Sequence, residues 1–127
     1  MRFVNDSKAT NPESAAPALS AFPGTHWILG GQAKTESLEA CLPHLGGVRA
    51  AYLIGEAAPL FERLLSPHLP VTVSGTLQQA VADAAAAARA GETVLLSPAC
   101  ASFDQFRDYE ERGQAFRAAV ASLREVR

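Results

Sequence analysis

Short apolar segments alternate with helical patterns along the whole chain, and this alternation most constrains how the chain can fold. Segments typical of strands begin near Arg2, Thr25, Val48, Val71 and Glu92. Between them, apolar residues recur every three or four positions, which is the spacing of a helix that buries one face. Strands joined by helices pair in parallel and are covered on both faces. The alternation therefore predicts one α/β domain with three αβα layers around a mostly parallel sheet.

Proline positions limit where the first two helices can begin. Pro17 lies within an apolar helical stripe, and an interior proline breaks the hydrogen-bond ladder of a helix. We therefore expect the first helix to begin near Ala16, with Pro17 in its first turn, rather than at Pro12. The apolar spacing predicts a second helix over residues 37–45, although Pro43 interrupts it.

The stretch from Leu95 to Phe106 joins the last predicted strand to a predicted helix start. Pro98 ends the strand because it has no N–H to donate to a central ladder. Ser102 and Gln105 have the spacing of a capping box, which predicts a helix over residues 103–112. Free N–H groups at such a helix start favour an anion, so this turn is predicted to bind one.

Composition excludes several classes of function. The 127 residues carry a net charge of −2, so we expect no nucleic-acid partner. No apolar run approaches the ~20 residues of a membrane span, and no signal-peptide pattern is present, so a cytoplasmic protein is expected. The histidines lack ligand spacing, and Cys41 and Cys100 are expected to be reduced, so no metal site is predicted. A monomer is expected.

Three loops at the predicted carboxyl ends of strands carry unusual polar groups, where parallel sheets bind ligands. The loops contain N-D-S-K-A-T-N at 5–11, L-G-G at 29–31 followed by Lys34, and S-P-A-C-A-S-x-D-Q-F at 97–106. Together with E-E-R-G at 110–113, these stretches resemble the C-terminal domain of the D-glutamate-adding Mur ligases of bacterial peptidoglycan synthesis. The resemblance covers nearly the whole chain.

The resemblance implies a Rossmann-like domain that brings D-glutamate to the reacting centre and closes over ATP. It also implies an N-terminal UDP-binding domain and a central ATPase domain, which carries the P-loop and holds most of the ATP and Mg²⁺ site. No G-x-x-x-x-G-K-[ST] motif occurs in this chain, so both domains are expected to be absent from residues 1–127. The chain alone is then expected to be inactive, with no certain catalytic residue of its own.

The resemblance also implies roles for individual residues. It implies that D-glutamate is bound by Lys8, Thr10, Lys34, Ser102 and Tyr109, and that the nucleotide is bound by Asp6. A cation and hydroxyls suit a substrate with two carboxylates. Gly30 and Gly31, ahead of Lys34, lack Cβ atoms and are expected to let a ligand approach the backbone. The role of Gln32 stays open.

Each of these residues also has a purely structural interpretation. Lysines in loops are usually solvated, and either Thr10 or Asn11 is a possible helix cap. Asp6 is typical of an Asx-turn. In a capping box, the hydroxyl of Ser102 would accept a hydrogen bond from the N–H of Gln105. The ring of Tyr109 is a candidate for the core.

Three classes of function follow from these patterns. The first is the substrate-binding domain of an ATP-dependent amide ligase that joins D-glutamate to UDP-N-acetylmuramoyl-L-alanine. The second is a free-standing Rossmann-like module that binds a nucleotide or metabolite. The third is a small cysteine-dependent enzyme, which is disfavoured because no base is placed beside Cys100 and a small buried thiol packs well in a turn.

Overall fold

A computed structural model describes residues 1–33 and 37–125. Within them, five parallel strands form one sheet in the order β1-β5-β2-β3-β4. The strands are β1 (Arg2–Asn5), β2 (Thr25–Gly30), β3 (Val48–Ile54), β4 (Val71–Gly75) and β5 (Thr93–Leu96). The last strand in sequence therefore lies between the first two, and the predicted parallel sheet is confirmed.

Helices cover both faces of this sheet, as the apolar stripes predicted. They are α1 (Pro12–Ala21), a 3₁₀ helix (Leu42–Gly47), α2 (Ala58–Leu65), α3 (Leu77–Ala87) and α4 (Tyr109–Glu125). On one face, Leu19 of α1 and Phe61 of α2 pack in the same cluster as Trp27. On the other face, Val81 of α3 and Phe116 of α4 pack in one cluster. The three-layer αβα architecture is confirmed.

The first helix begins earlier than predicted. Asn11 caps it, because its side-chain oxygen accepts a hydrogen bond from the N–H of Ser14 at 2.8 Å. Pro12 occupies the first turn, where its missing N–H has no helical partner to lose. Pro17 lies inside the helix on an exposed position, so the cap and the buried face with Leu19 outweigh one lost hydrogen bond.

The second predicted helix is wrong. Residues 37–41 form no α-helix, and a 3₁₀ helix begins only at Leu42. Pro43 stands in its first turn, which is where a proline is tolerated. Within a longer α-helix, the ring of Pro43 would meet the carbonyl of Glu39 one turn earlier, which disfavours an α-helix through this position.

The helix predicted over 103–112 is also wrong, because α4 begins at Tyr109. The carbonyl oxygen of Ser102 accepts hydrogen bonds from the N–H groups of Gln105 and Phe106, which makes this stretch a turn. The helix cap is Asp108, whose carboxylate accepts from the N–H of Glu111 at 2.8 Å. The predicted anion site at a helix start therefore does not lie at Ser102.

Candidate functional site

The carboxyl ends of β1, β5 and β2 lie side by side, and their loops leave toward opposite faces of the sheet. The chain after β1 enters α1 on one face, whereas the chain after β5 leads to α4 on the other. Loops that separate in this way leave a crevice beyond the strand ends, where α/β domains bind ligands. The predicted binding residues of the first and third loops follow β1 and β5, so the structure brings these two loops to one edge.

Asp6 and Ser97 join the ends of β1 and β5. The hydroxyl of Ser97 donates to Oδ2 of Asp6 at 2.8 Å, and the N–H of Asp6 donates to the carbonyl of Leu96 at 2.7 Å. Trp27 fixes Ser97 from below, since its indole N–H donates to the Ser97 carbonyl at 2.7 Å. The half-buried carboxylate of Asp6 is therefore held in one orientation at the crevice.

The segment between Leu96 and Tyr109 contains neither an α-helix nor a paired strand, yet residues 97–102 are buried. An isolated antiparallel bridge pairs Ala101 with Gln32. Ala99 has a φ of 60°, which is uncommon for alanine, and its N–H donates to the Ala9 carbonyl at 2.9 Å. Strained backbone persists only where its surroundings fix it, so this loop is held rigidly.

Gly30 and Gly31 have a different role from the one expected of them. Their missing Cβ atoms predicted room for a ligand, but protein backbone fills that room. A Cβ on Gly30 would lie 2.0 Å from the carbonyl oxygen of Ile54, and one on Gly31 would lie 2.5 Å from that of Ala101. Both glycines also have positive φ angles. They allow β2 to end in close contact with its neighbours.

Arg112 is the buried charged residue that the sequence reasoning missed. It is 1% exposed, and its guanidinium donates to Ser7 Oγ at 3.0 Å, to the Ser7 carbonyl at 2.7 Å and to the Cys100 carbonyl at 2.9 Å. Burial lowers its pKa to about 10, so it remains protonated near neutral pH. The E-E-R-G stretch contains this residue, but an arginine on an amphipathic helix suggests a solvated position.

Lys8 and Tyr109 line one pocket of about 240 Å³ beside the end of β1. Its other lining residues are Asn5, Ser7, Glu110, Gly113, Gln114 and Arg117. Tyr109 is 37% exposed, so its ring is not part of the core as the structural alternative suggested. Its carbonyl accepts from Ser7 Oγ at 2.6 Å, and its N–H has no acceptor among the described residues.

The other predicted binding residues are distributed along the same edge. Ser102 is 2% exposed, does not line that pocket, and its hydroxyl bonds to no described residue. Thr10 is half-buried in the loop before α1. Lys34 lies outside the described residues. The structure thus brings Lys8 and Tyr109 together and leaves Ser102 apart from them.

A sequence profile for the family described as "Mur ligase, glutamate ligase domain" matches residues 1–100. The chain belongs to this family. The match includes the loops after β1 and β2 and the loop after β5 as far as Cys100.

Curated relatives of this glutamate ligase domain are similar to it along nearly its whole length. Proteins named UDP-N-acetylmuramoylalanine–D-glutamate ligase are 58% identical in Novosphingobium aromaticivorans, 59% identical in Sphingopyxis alaskensis and 50% identical in Rhodospirillum rubrum. The alignments cover 98%, 96% and 100% of this chain. They cover only 28%, 29% and 28% of the relatives, so the chain spans a little over a quarter of their length.

The two thiols of this glutamate ligase domain have low reactivity as nucleophiles. Burial raises the pKa of Cys100 to about 12 and that of Cys41 to about 11, so both remain protonated near neutral pH. No group of three His, Cys, Asp or Glu side chains in residues 1–33 and 37–125 could hold a metal ion. Over the same residues, no helix has the length and apolar character needed to cross a membrane.

Proposed function

We propose that this chain is the amino-acid-binding domain of an ATP-dependent ligase that joins D-glutamate to UDP-N-acetylmuramoyl-L-alanine in peptidoglycan synthesis. The family match over residues 1–100 carries the proposal, and the names of relatives 50–59% identical support it. Neither finding favours the free-standing nucleotide- or metabolite-binding module. The enzyme is also proposed to be a cytoplasmic monomer.

D-glutamate binding is proposed for the edge formed by the loops after β1, β2 and β5. Lys8 and Tyr109 line one pocket, and the Lys8 ammonium and the Tyr109 N–H are groups that can donate to a carboxylate. The hydroxyl of Ser102 would donate to the side-chain carboxylate of the substrate. Thr10 and Lys34 complete the proposed set.

Asp6 is the residue that we assign to the nucleotide. Its Oδ2 accepts from Ser97, and its Oδ1 has no partner among the described residues, so Oδ1 could accept a ribose hydroxyl. ATP and Mg²⁺ would be held mainly by a central domain that the chain does not contain. ATP would phosphorylate the muramoyl-alanine carboxylate and leave as ADP. The amine of D-glutamate would then attack the acyl-phosphate carbon, displace inorganic phosphate and lose a proton to form the amide.

The test compares the full-length protein encoded by the gene with the 127-residue chain. Phosphate release is measured with ATP, UDP-N-acetylmuramoyl-L-alanine and D-glutamate, and omission of each substrate provides the control. We expect D-glutamate-dependent release from the full-length protein and none from the chain alone. Release that is independent of D-glutamate, or ligation by the chain alone, would contradict the proposal.

A further inference from the structure

We propose that Arg112 is a positioning residue for the amino-acid substrate. Its buried guanidinium fastens the loop after β1 to the loop after β5 and so sets the spacing between the two walls of the site. The inference rests on the proposed function, because it takes these loops to be the D-glutamate site. Arg112 itself does not touch the substrate in this account.

The guanidinium binds both loops at once. Two of its hydrogen bonds go to Ser7 in the loop after β1, through Nε to Oγ at 3.0 Å and through Nη2 to the carbonyl at 2.7 Å. The third goes through Nη1 to the carbonyl of Cys100 at 2.9 Å, two residues before Ser102. A shift of Arg112 would therefore displace both walls.

Ser7 transmits this position to the predicted substrate residues. Its hydroxyl accepts from Arg112 and donates to the Tyr109 carbonyl at 2.6 Å, so it fixes the start of α4. Ser7 directly precedes Lys8, which lines the same pocket as Tyr109. Asn5 adds a parallel link, because its amide donates to the Gly113 carbonyl at 3.1 Å and its oxygen accepts from the Ser7 N–H at 3.2 Å.

Packing alone does not explain an arginine at this position. A buried cation is costly to desolvate, and apolar side chains of similar volume are often at least as stabilising. Among the described residues, no Asp or Glu forms an ion pair with Arg112. The planar guanidinium of arginine has five N–H donors, so it can bind three acceptors on two separate loops at once.

The experiment substitutes Arg112→Lys in the full-length ligase, with Arg107→Lys as the matched control. Lysine keeps the charge but loses the planar guanidinium, so it cannot reach all three acceptors together. We expect the KM for D-glutamate to rise about tenfold, as the loss of hydrogen bonds to a charged group implies. The KM for ATP should stay within about twofold, because the nucleotide site is held by other bonds. Arg107, whose side chain is 85% exposed, should tolerate lysine without either change.

Each outcome decides the inference. A folded Arg112→Lys enzyme with an unchanged KM for D-glutamate would overturn it, as would equal increases in both KM values. If Arg112→Lys does not fold, Ser7→Ala decides instead, since alanine removes only the hydroxyl between Arg112 and Tyr109. That variant is expected to raise the KM for D-glutamate and spare the KM for ATP, and no increase would overturn the inference. Failure of the proposed function would appear in the wild-type enzyme, as turnover that does not need D-glutamate.

Discussion

The hydroxyl of Ser97 donates a hydrogen bond to the carboxylate of Asp6 at 2.8 Å, across the ends of two neighbouring parallel strands. β1 is a four-residue edge strand, so β5 is its one neighbour in the sheet. This bond therefore holds the proposed nucleotide-binding carboxylate against the centre of the sheet. Buried Trp27 fixes the serine in turn through its carbonyl, so the core of the sheet supports the site directly.

Replacement Ser97→Ala should weaken both stability and nucleotide binding. The loss of one intramolecular hydrogen bond is expected to lower the free energy of unfolding by about 1 kcal/mol. In the full-length enzyme, the KM for ATP should rise more than the KM for D-glutamate, because Asp6 loses its fixed orientation. Urea denaturation and steady-state kinetics measure the two effects. Ser66→Ala, at an exposed serine after α2, is the control. An unchanged KM for ATP would refute the role of Asp6.

Glu92 should make the stability of the domain depend on pH. It lies at the amino end of β5, on the opposite side of the sheet from the candidate site. Hydrogen bonds from the Arg89 N–H and the His26 ring, aided by Arg49, lower the pKa of Glu92 to about 2 from its ordinary 4.5. A lowered folded-state pKa contributes stability that is complete above the unfolded pKa and is lost as pH falls toward the folded one. The advantage of wild type over Glu92→Gln should therefore shrink between pH 4.5 and about 2.

Urea denaturation of both proteins over this pH range measures that advantage. Glu62→Gln, at an exposed position on α2, is the matched control and should show no such pH dependence. An advantage of the wild type that persists unchanged at pH about 2 would contradict the effect assigned to Glu92.

Cys41 and Cys100 should resist alkylation in the folded chain. Both thiols are fully buried, and their raised pKa values leave very little thiolate near neutral pH. Mass spectrometry after iodoacetamide treatment should find both unmodified in the folded protein and both modified in urea. Glutathione serves as the reference thiol. Modification of Cys100 in the folded chain at a rate near that of glutathione would contradict this prediction and favour the hypothesis of a cysteine-dependent enzyme.

Local patterns were sufficient for the strands but not for all of the helices. The central strands β2, β3 and β5 are short and largely apolar, and their burial follows from residues that are adjacent in sequence. The start of α1 was predicted too late because of Pro17. The free-energy cost of this proline is outweighed by the Asn11 cap and by the buried face of the helix. Ser102 was the predicted cap, whereas Asp108 caps α4, because the stretch after Ser102 packs as a turn.

The contacts that hold the loops of the candidate site in place could not be predicted, because they join distant parts of the sequence. Arg112 and Ser7 are 105 positions apart, and no periodicity or spacing links them. Gly30 and Gly31 were expected to admit a ligand, whereas the carbonyls of Ile54 and Ala101 occupy that space. The polar loops themselves were predictable, since they directly follow apolar strands and parallel strand ends meet at one edge.

The substitution Ser102→Ala in the full-length enzyme shows whether the edge formed by the loops after β1, β2 and β5 binds D-glutamate. Steady-state kinetics would give the KM for D-glutamate and the KM for ATP, with Ser66→Ala as the control. We expect the KM for D-glutamate to rise about tenfold, as the loss of a hydrogen bond to a carboxylate implies, while the KM for ATP stays nearly constant. A rise in the KM for ATP alone, or no change in either constant, would contradict the assignment of this edge to D-glutamate.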